Sequence, residues 1–469
     1  MGARDIEPCE GTLLRGCGRM HANARLGWIV TAALALVVGA GCAVGAGPKV
    51  NGRGAAIGGG EALSADEANR VVRDAITDVE RYWSGAYPAL SGGKPFEPVS
   101  GGYHPYTEQD PPPRCGPERW QYQPNAFYCS AGDFIAWDAQ TLIPQLGADY
   151  GPLLVAVVVA HEYGHAIQLR LGQAEQPTIV LEQQADCFAG SWIADVTAGH
   201  SKAFAGVRAE QLDSTVAGLL SLRDQPGVSA QAPQAHGNAF DRVRALQEGV
   251  EQEPARCASY RADNLPVTEI PFSSADEAAS GGDLPYGQAV TELAGDAQEY
   301  WQRAYPRLAG GAAWKPLKVV PYDPADAPDC ADRQPPGTEA TGAAFYCPSG
   351  DFVAFDNRQL GPQLYQHIGD NAVGMLLGDL FARAAQARRG QSADGRAGQL
   401  TVDCLAGSWG NDLLHRGAGD GLRLSPGDLD EAVAALLVFG RAGGSGEASA
   451  FDRIGAFRNG VLGGLSGCA

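Results

Sequence analysis

His161, Glu162 and His165 lie in the string HEYGH, in which two histidines are four residues apart and a glutamate follows the first. On an α-helix, residues four apart project from the same face, so both imidazoles could bind one metal ion. Imidazole nitrogen is a common zinc ligand, and the glutamate beside the first histidine would face a water molecule rather than the metal. This spacing predicts a hydrolytic zinc site.

The surrounding residues predict a buried helix and a third ligand. The apolar run LLVAVVVA precedes His161 and is typical of a buried helix. A catalytic zinc needs a third protein ligand, and Glu182 follows His165 by seventeen residues. Asp186, one turn further, could accept a hydrogen bond from a ligand imidazole. Taken alone, Glu182 is better interpreted as a solvent-exposed helix carboxylate, but the preceding HEYGH reverses this and favours the ligand.

A transition state for hydrolysis also needs a donor for its developing negative oxygen. The candidate in this sequence is His236, in AHGNAFDR. The alternative for His236 is a structural role in a loop or at a helix cap.

The bulk properties exclude one class of partner. The chain has 469 residues, 45% of them apolar, and a net charge of −19. This length and composition predict a globular protein with room for two or more domains. A nucleic-acid partner is excluded, because it would require a basic face.

The N-terminus predicts export. Arg15, Arg19 and Arg25 precede the run LGWIVTAALALVVGAG, which ends at Cys42. A basic stretch, a short apolar run and small residues predict a signal peptide over 1–42, with a lipobox that would place a lipid on Cys42. An uncleaved anchor helix is the alternative. The Gly-rich segment 43–61 predicts a flexible tether, so the body would lie on the extracytoplasmic face of a bacterial membrane, or be secreted.

Four blocks of sequence recur in the same order, and they predict two homologous domains at 62–262 and 284–469, joined by a linker at 263–283. Within each, short aromatic strands followed mainly by helices predict an α+β domain with a small antiparallel sheet. We call residues 62–262 the first half and residues 284–469 the second half. The paired blocks begin ANRVVRDAITDVERYW and GQAVTELAGDAQEYW, NAFYCSAGDFIAWD and AAFYCPSGDFVAFD, EQQADCFAGSW and QLTVDCLAGSW, FDRVRALQEGV and FDRIGAFRNGV.

Each half carries four cysteines at corresponding places, which allow three pairings per half. Their short separation favours bonding of the first two cysteines of each half, which leaves the last two to pair. Such bonds suit an oxidising, extracytoplasmic setting, with buried free thiols as the alternative. The predicted disulfides are Cys115–Cys129, Cys187–Cys257, Cys330–Cys347 and Cys404–Cys468.

The second half lacks the residues that predict chemistry in the first. With Gly172 aligned to Gly390, the three residues His161, Glu162 and His165 fall opposite Asp379, Leu380 and Arg383. With EQQADC aligned to QLTVDC, Glu182 falls opposite Gln399. Asp186, by contrast, falls opposite Asp403, so part of its role could be structural. The sequence therefore predicts one zinc per chain, in the first half, and a degenerate second domain that packs on the first.

Several ordered motifs of the first half resemble the bacterial family of putative neutral zinc metallopeptidases. They are HEYGH, the downstream E-x-x-x-D-C-x-A-G, the upstream FYC…DFIAWD, and HGNAFDR followed by Cys257. The resemblance implies a zincin domain with zinc on His161, His165 and Glu182 and with Glu162 as the catalytic base. It also implies that DFIAWD is an edge strand beside the cleft, where an extended peptide could add.

Two functions are compatible with these residues. The first is hydrolysis of peptide bonds, or of related amides, by a lipid-anchored zinc enzyme that acts on peptides or proteins of the cell envelope. The second is a noncatalytic binding or scaffold lipoprotein whose zinc site is structural or vestigial. Glu162 favours the enzyme, because a structural site has no use for a base.

Overall fold

In a computed structural model of this chain, the first helix begins after Ser64, whose side chain accepts a hydrogen bond from the backbone N–H of Glu67. The structure describes residues 63–117, 120–232, 235–333, 343–417, 419–440 and 447–468. The predicted signal peptide at 1–42, its lipidation site Cys42 and the tether at 43–61 lie outside these residues. In the described part of the chain, no helix is long and apolar enough to cross a membrane.

Each half begins with a long helix, continues with three short strands and ends with a series of helices. All described residues belong to one compact unit, and the division at 262 and 284 stays a prediction. The first half contains α1 Ala65–Leu90, β1 Gly102–Tyr106, β2 Ala126–Cys129, β3 Phe134–Asp138, α2 Leu142–Tyr150, α3 Pro152–Arg170, α4 Thr178–Thr197, α5 Ala209–Ser221, α6 Ala239–Glu251 and α7 Pro254–Ala258. Then follow α8 Ala275–Ser280, α9 Tyr286–Leu308, β4 Lys318–Tyr322, β5 Ala344–Cys347, β6 Phe352–Asp356, α10 Leu360–His367, α11 Asp370–Arg388, α12 Gly395–Leu414, α13 Asp428–Gly440 and α14 Ala450–Gly463.

The sheets differ from the prediction. Each has three strands, in the orders β1-β3-β2 and β4-β6-β5. β2 and β3 form the expected antiparallel hairpin, but β1 runs parallel to β3. A tight turn forces two strands to be antiparallel, whereas the long connection from β1 leaves its direction open. The α+β class agrees with the prediction, and the purely antiparallel sheet was wrong.

The central position of β3 contradicts a second expectation. DFIAWD forms β3, which is hydrogen-bonded to β1 on one side and to β2 on the other. All five residues of β3 are buried, as expected for an apolar strand covered on both faces. DFIAWD is therefore not an edge strand, and β2 is the edge strand beside the candidate site.

Three helices of the first half form the frame of the candidate site. α3 carries HEYGH, α4 carries Glu182, and α6 packs on α4 from the other side. Two glycines allow that second contact, because a Cβ on Gly190 would lie 2.0 Å from the carbonyl oxygen of Leu246, and one on Gly249 would lie 1.9 Å from that of Cys187. The equivalent helices of the second half approach as closely, at Gly407 and Gly460.

Four disulfides lie in the described part of the chain. In each half, one bond joins the end of the second strand to the preceding loop. The other joins α4 in the first half, or α12 in the second, to a segment near the end of that half. The bonded pairs are Cys115–Cys129, Cys187–Cys257, Cys330–Cys347 and Cys404–Cys468.

Candidate metal centre

The helices α3 and α4 bring His161, His165 and Glu182 together. One ligand atom from each residue lies within 4.8 Å of the other two. His161 Nε2 is 3.3 Å from Glu182 Oε2, and His165 Nε2 is 3.5 Å from Glu182 Oε1. His161 and Glu182 are buried and His165 is nearly so, so the three groups form an interior cluster rather than a surface ion pair.

The far nitrogen of each imidazole is held by an acceptor. His161 Nδ1 lies 2.8 Å from Asp186 Oδ1, and His165 Nδ1 lies 3.0 Å from the side-chain oxygen of Gln168. Gln168 in turn donates from its Nε2 to the carbonyl oxygen of Leu181 at 2.6 Å, which fixes its orientation. Because both acceptors require a proton on Nδ1, Nε2 of each ring is the basic nitrogen that a metal could bind.

Arg242 is a functional candidate that the sequence alone did not single out. Its Nε and Nη2 donate to Asp186 at 2.9 and 3.0 Å, so Asp186 joins His161 to a buried guanidinium. The second half retains this pair, because Arg453 donates to Asp403 at 2.7 and 2.8 Å. The sequence pattern that could have indicated Arg242 is the string FDR, which both halves share. The Asp–Arg pair is structural in both, and only Asp186 has a histidine to hold.

Glu162 points toward the same cluster from α3. One of its oxygens accepts a hydrogen bond from the backbone N–H of Tyr128 in β2 at 2.9 Å. In the described part of the chain, its other oxygen, Oε1, is buried without a hydrogen-bond partner. The edge of β2 thus fixes one oxygen of Glu162 and leaves the second available for a ligand or a proton.

Burial and charge set the protonation of the acidic groups. Burial raises the pKa of Glu162 to about 8, and the neighbouring charge of Glu182 adds to this shift. Burial opposes ionisation of Glu182 as well, but the nearby His165 and His161 lower its pKa to about 2. Two carboxyl groups in one site therefore have pKa values that are far apart, as is typical of sites that carry out acid–base chemistry.

Burial and nearby charges also shift the pKa values of His165 and Asp186. Burial lowers the pKa of His165, which favours the neutral ring that binds a metal. Asp186 is also buried, but the Arg242 guanidinium and His161 hold the pKa of its carboxyl well below the usual range. The cluster thus combines neutral histidine with ionised carboxylates.

His236 lies in the loop before α6 and is buried. Its backbone N–H and that of Gly237 each donate to Asp224 Oδ2 at 2.8 Å, and its Nδ1 lies 3.5 Å from Asp224 Oδ1. Burial alone would lower the pKa of His236, but the hydrogen bond with Asp224 and the charge of Glu182 raise it above its ordinary value. The ring therefore retains its proton more readily than a free histidine, which suits a hydrogen-bond donor.

The donor set fits a zinc ion. Two imidazole nitrogens and one carboxylate match the ligands of catalytic zinc sites, in which a fourth position stays open. Among the described residues, His165 Nε2 and Glu182 Oε1 are buried without a hydrogen-bond partner. Such atoms are costly unless a further group satisfies them, and a divalent cation bound to all of them would do so.

Gly164 allows α3 and α4 to approach closely enough for this cluster. A Cβ at this position would lie 2.8 Å from Ala185 Cα and 3.0 Å from its Cβ. We expect Gly164→Ala to separate the helices, to reduce the free energy of unfolding by roughly 1–3 kcal/mol, and to weaken zinc binding. Zinc titration and denaturant unfolding measure both effects. Gly85→Ala in α1, where a Cβ meets nothing within 4 Å, is the control, and equal zinc affinity in the two variants would contradict this role.

The second half replaces the cluster with an ion-pair network. Arg383 Nε donates to Asp379 Oδ2 at 2.7 Å, at the positions opposite His165 and His161. Gln399, opposite Glu182, accepts a hydrogen bond from the backbone N–H of Ala448.

Two further histidines and a tyrosine lie outside the cluster. His104 is half-buried and contacts the carbonyl oxygen of Gly101, whereas His200 is exposed and contacts Asp195. Tyr163 is buried and donates to Glu80 at 2.7 Å.

Comparison with known proteins finds related bacterial sequences. An uncharacterized protein of Mycobacterium tuberculosis is 38% identical over 91 residues, which cover 17% of this chain and 30% of that protein. The uncharacterized protein YpfJ of Escherichia coli is 29% identical over 160 residues, which cover 29% of this chain and 53% of YpfJ. The chain thus spans from about a third to about half of the length of these curated relatives. No solved structure matches the chain significantly.

The family-wide comparison extends further along the chain. The sequence profile described as "putative neutral zinc metallopeptidase" matches residues 10–260, more than half of the chain and nearly all of the first half. These residues include every group of the candidate metal centre. The chain therefore belongs to the putative neutral zinc metallopeptidase family.

Proposed function

We propose that this protein is a zinc-dependent peptidase with one reactive centre, built around His161, His165 and Glu182. The observation that carries the proposal is the convergence of three buried ligand atoms beside Glu162, a carboxyl group with one fixed and one unengaged oxygen. A structural zinc site is normally closed by four protein ligands, whereas three ligands leave the fourth position open. The additional carboxyl favours hydrolysis over a structural role.

The three ligands would hold zinc through two Nε2 atoms and one carboxylate. Zinc bound there supplies a Lewis acid that polarises a carbonyl group and lowers the pKa of water toward 7. Asp186 and Gln168 keep the two imidazoles in the tautomer and orientation that binding requires.

Glu162 would act as the general base. The N–H of Tyr128 fixes one of its oxygens, so the other can take a proton from the attacking water and pass it to the leaving amine. His236, whose proton is retained through Asp224, is the proposed donor to the negative oxygen that develops on the substrate.

An extended peptide is the substrate class that the sheet favours. In the described part of the chain, β2 pairs only with β3, and the N–H groups on its other edge already donate to the side chains of Asn125 and Glu162. This edge therefore offers an added strand its backbone carbonyl groups. The N–H of Tyr128 on β2 contacts Glu162, so a peptide along this edge would pass beside the base.

The proposed setting is the outer face of a bacterial membrane, with a lipid on Cys42, or secretion, and with cell-envelope peptides or proteins as substrates. The N-terminal sequence and the four disulfides support this setting. The second half would be a degenerate duplicate of the first, which has retained the disulfides and the Asp403–Arg453 pair without the ligands.

Metal analysis and peptide digestion of the purified chain test this function. We expect one zinc per chain, cleavage of a peptide library, loss of cleavage with a chelator and recovery with added zinc. Absence of zinc from the wild-type chain would contradict the proposal. One zinc without cleavage of any peptide would instead favour the scaffold function, in which the metal is bound but performs no catalysis.

A further inference from the structure

The second half of the chain contacts the helix that supports the metal centre. Helices α5 and α6 pack against α13 and α14. Between them, the rings of Phe240 and Phe457 meet edge to face, with centroids 6.3 Å apart. Gln247 of α6 donates a hydrogen bond to the carbonyl oxygen of Phe451 at 2.7 Å. The side of α6 that faces away from the metal centre is therefore held by the second half.

One carboxylate of α13 fixes the start of α6. Asp430 is 3% exposed, and its Oδ1 accepts a hydrogen bond from the backbone N–H of Phe240 at 2.9 Å. That N–H belongs to the first turn of α6, where amides have no partner inside the helix. The negative charge also suits the positive end of the helix dipole. Asp430 thus supports α6 from the second half.

The start of α6 leads directly to the metal centre. Phe240 is two residues before Arg242, whose guanidinium holds Asp186. Asp186 in turn holds His161 through Nδ1. A shift of the first turn of α6 would move Arg242, and through it the orientation of a metal ligand.

The other oxygen of Asp430 reaches a second support of the site. Asp430 Oδ2 lies 3.0 Å from Nε of Arg223. Arg223 directly precedes Asp224, whose carboxylate binds the backbone and faces the ring of His236. One carboxylate of the second half is therefore linked to both the ligand orientation and the candidate oxyanion donor.

A matching carboxylate of the first half contacts the start of a helix of the second half. Asp213, in α5 of the first half, accepts hydrogen bonds from the backbone N–H groups of Ala450 and Phe451 at 3.2 and 2.7 Å. These amides begin α14, which carries Arg453 but supports no metal ligands. Asp213 and Asp430 thus make matched contacts, of which only that of Asp430 leads to the metal centre.

We propose that Asp430 is a positioning residue for the metal centre: it fixes the start of α6 so that Arg242 and His236 keep their orientation. This inference rests on the proposed zinc peptidase function. The second half, although it lacks the ligands, would then be required for full activity of the first.

The test compares Asp430→Ala with Asp213→Ala in the whole chain. We measure the rate of zinc transfer to excess chelator, kcat and KM for one peptide, and the unfolding midpoint. In Asp430→Ala, zinc should leave roughly tenfold faster and kcat should fall roughly tenfold, with KM nearly unchanged, because outer supports of metal ligands have effects of this order. In Asp213→Ala, zinc release and kcat should change by less than about twofold, although the unfolding midpoint falls in both variants.

Equal effects of the two substitutions on zinc release and kcat would overturn the inference, because they would show a general stabilising role only. If Asp430→Ala does not fold, Asp430→Asn and Asp213→Asn give the same comparison, since asparagine keeps an acceptor for the helix N–H but loses the charge. A wild-type chain that binds no zinc would overturn the proposed function together with this inference. If the wild-type chain binds zinc and cleaves peptides, but Asp430→Ala and Asp213→Ala change zinc release and kcat equally, only the positioning role is overturned.

Discussion

Replacement of Glu162 by glutamine should reduce kcat for peptide hydrolysis by roughly 10²–10⁴-fold while the zinc content stays unchanged. Glutamine preserves the size of the side chain and an oxygen that can accept the hydrogen bond from Tyr128 N–H. It cannot take up the proton of water. The three ligands are untouched, so metal binding and activity should separate in this variant, as metal analysis and initial rates would show.

Glu175→Gln is the control for this prediction, because Glu175 is an exposed glutamate that contacts none of the ligands. Its activity should equal that of the wild type. If Glu162→Gln kept more than about a tenth of the activity, Glu162 would not be the base. Loss of zinc from Glu162→Gln would show that Glu162 is a ligand, contrary to the geometry of α3 and α4.

Arg383→Met should destabilise the second half by roughly 3–5 kcal/mol, because it leaves the buried Asp379 without its closest positive partner. Both side chains are nearly inaccessible, at 2% and 1% exposure, and their Nε–Oδ2 distance is 2.7 Å. Arg453 Nη2 lies further away, 3.6 Å from Asp379 Oδ1, and already binds Asp403. Denaturant unfolding would measure the loss, and the zinc content should stay at one per chain.

Arg358→Met removes a comparable pair from the surface and serves as the control. Arg358 Nε lies 2.8 Å from Asp323 Oδ2, but the two side chains are 72% and 41% exposed. Exposed pairs of this kind contribute up to about 1 kcal/mol. A second variant, Asp379→Leu with Arg383→Met, should recover most of the lost stability, since it removes both charges together. If Arg383→Met cost no more than Arg358→Met, the buried pair would not be needed for stability.

The two halves compensate the charge of a corresponding buried aspartate in different ways. This aspartate is Asp186 in α4 or Asp403 in α12, and an arginine donates hydrogen bonds to each. In the first half, Asp186 also holds a histidine that faces Glu182. In the second half, Arg383 supplies positive charge within the protein itself. At the positions opposite the candidate ligands, the second half therefore balances its buried charges with arginine.

Much of the candidate site could be predicted from local patterns. The i,i+4 spacing of His161 and His165 places both rings on one helix face whatever the rest of the fold does. The apolar run before them predicts burial, and α3 is buried over nearly its whole length. Glu182 was predicted because a zinc site needs a third ligand, and α4 places it beside both rings.

Local patterns predict the mainly helical character, the hairpin of β2 and β3, and the half that carries the candidate ligands, because these depend on residue types at short spacing. The central place of β3, the support of Asp186 by Arg242, and the contact of Asp430 with α6 from 190 residues away are visible only in the folded chain. Strand order and contacts across the chain follow from how whole elements pack, and no short pattern records that packing. The ligands are therefore local in sequence, whereas their supports are long-range.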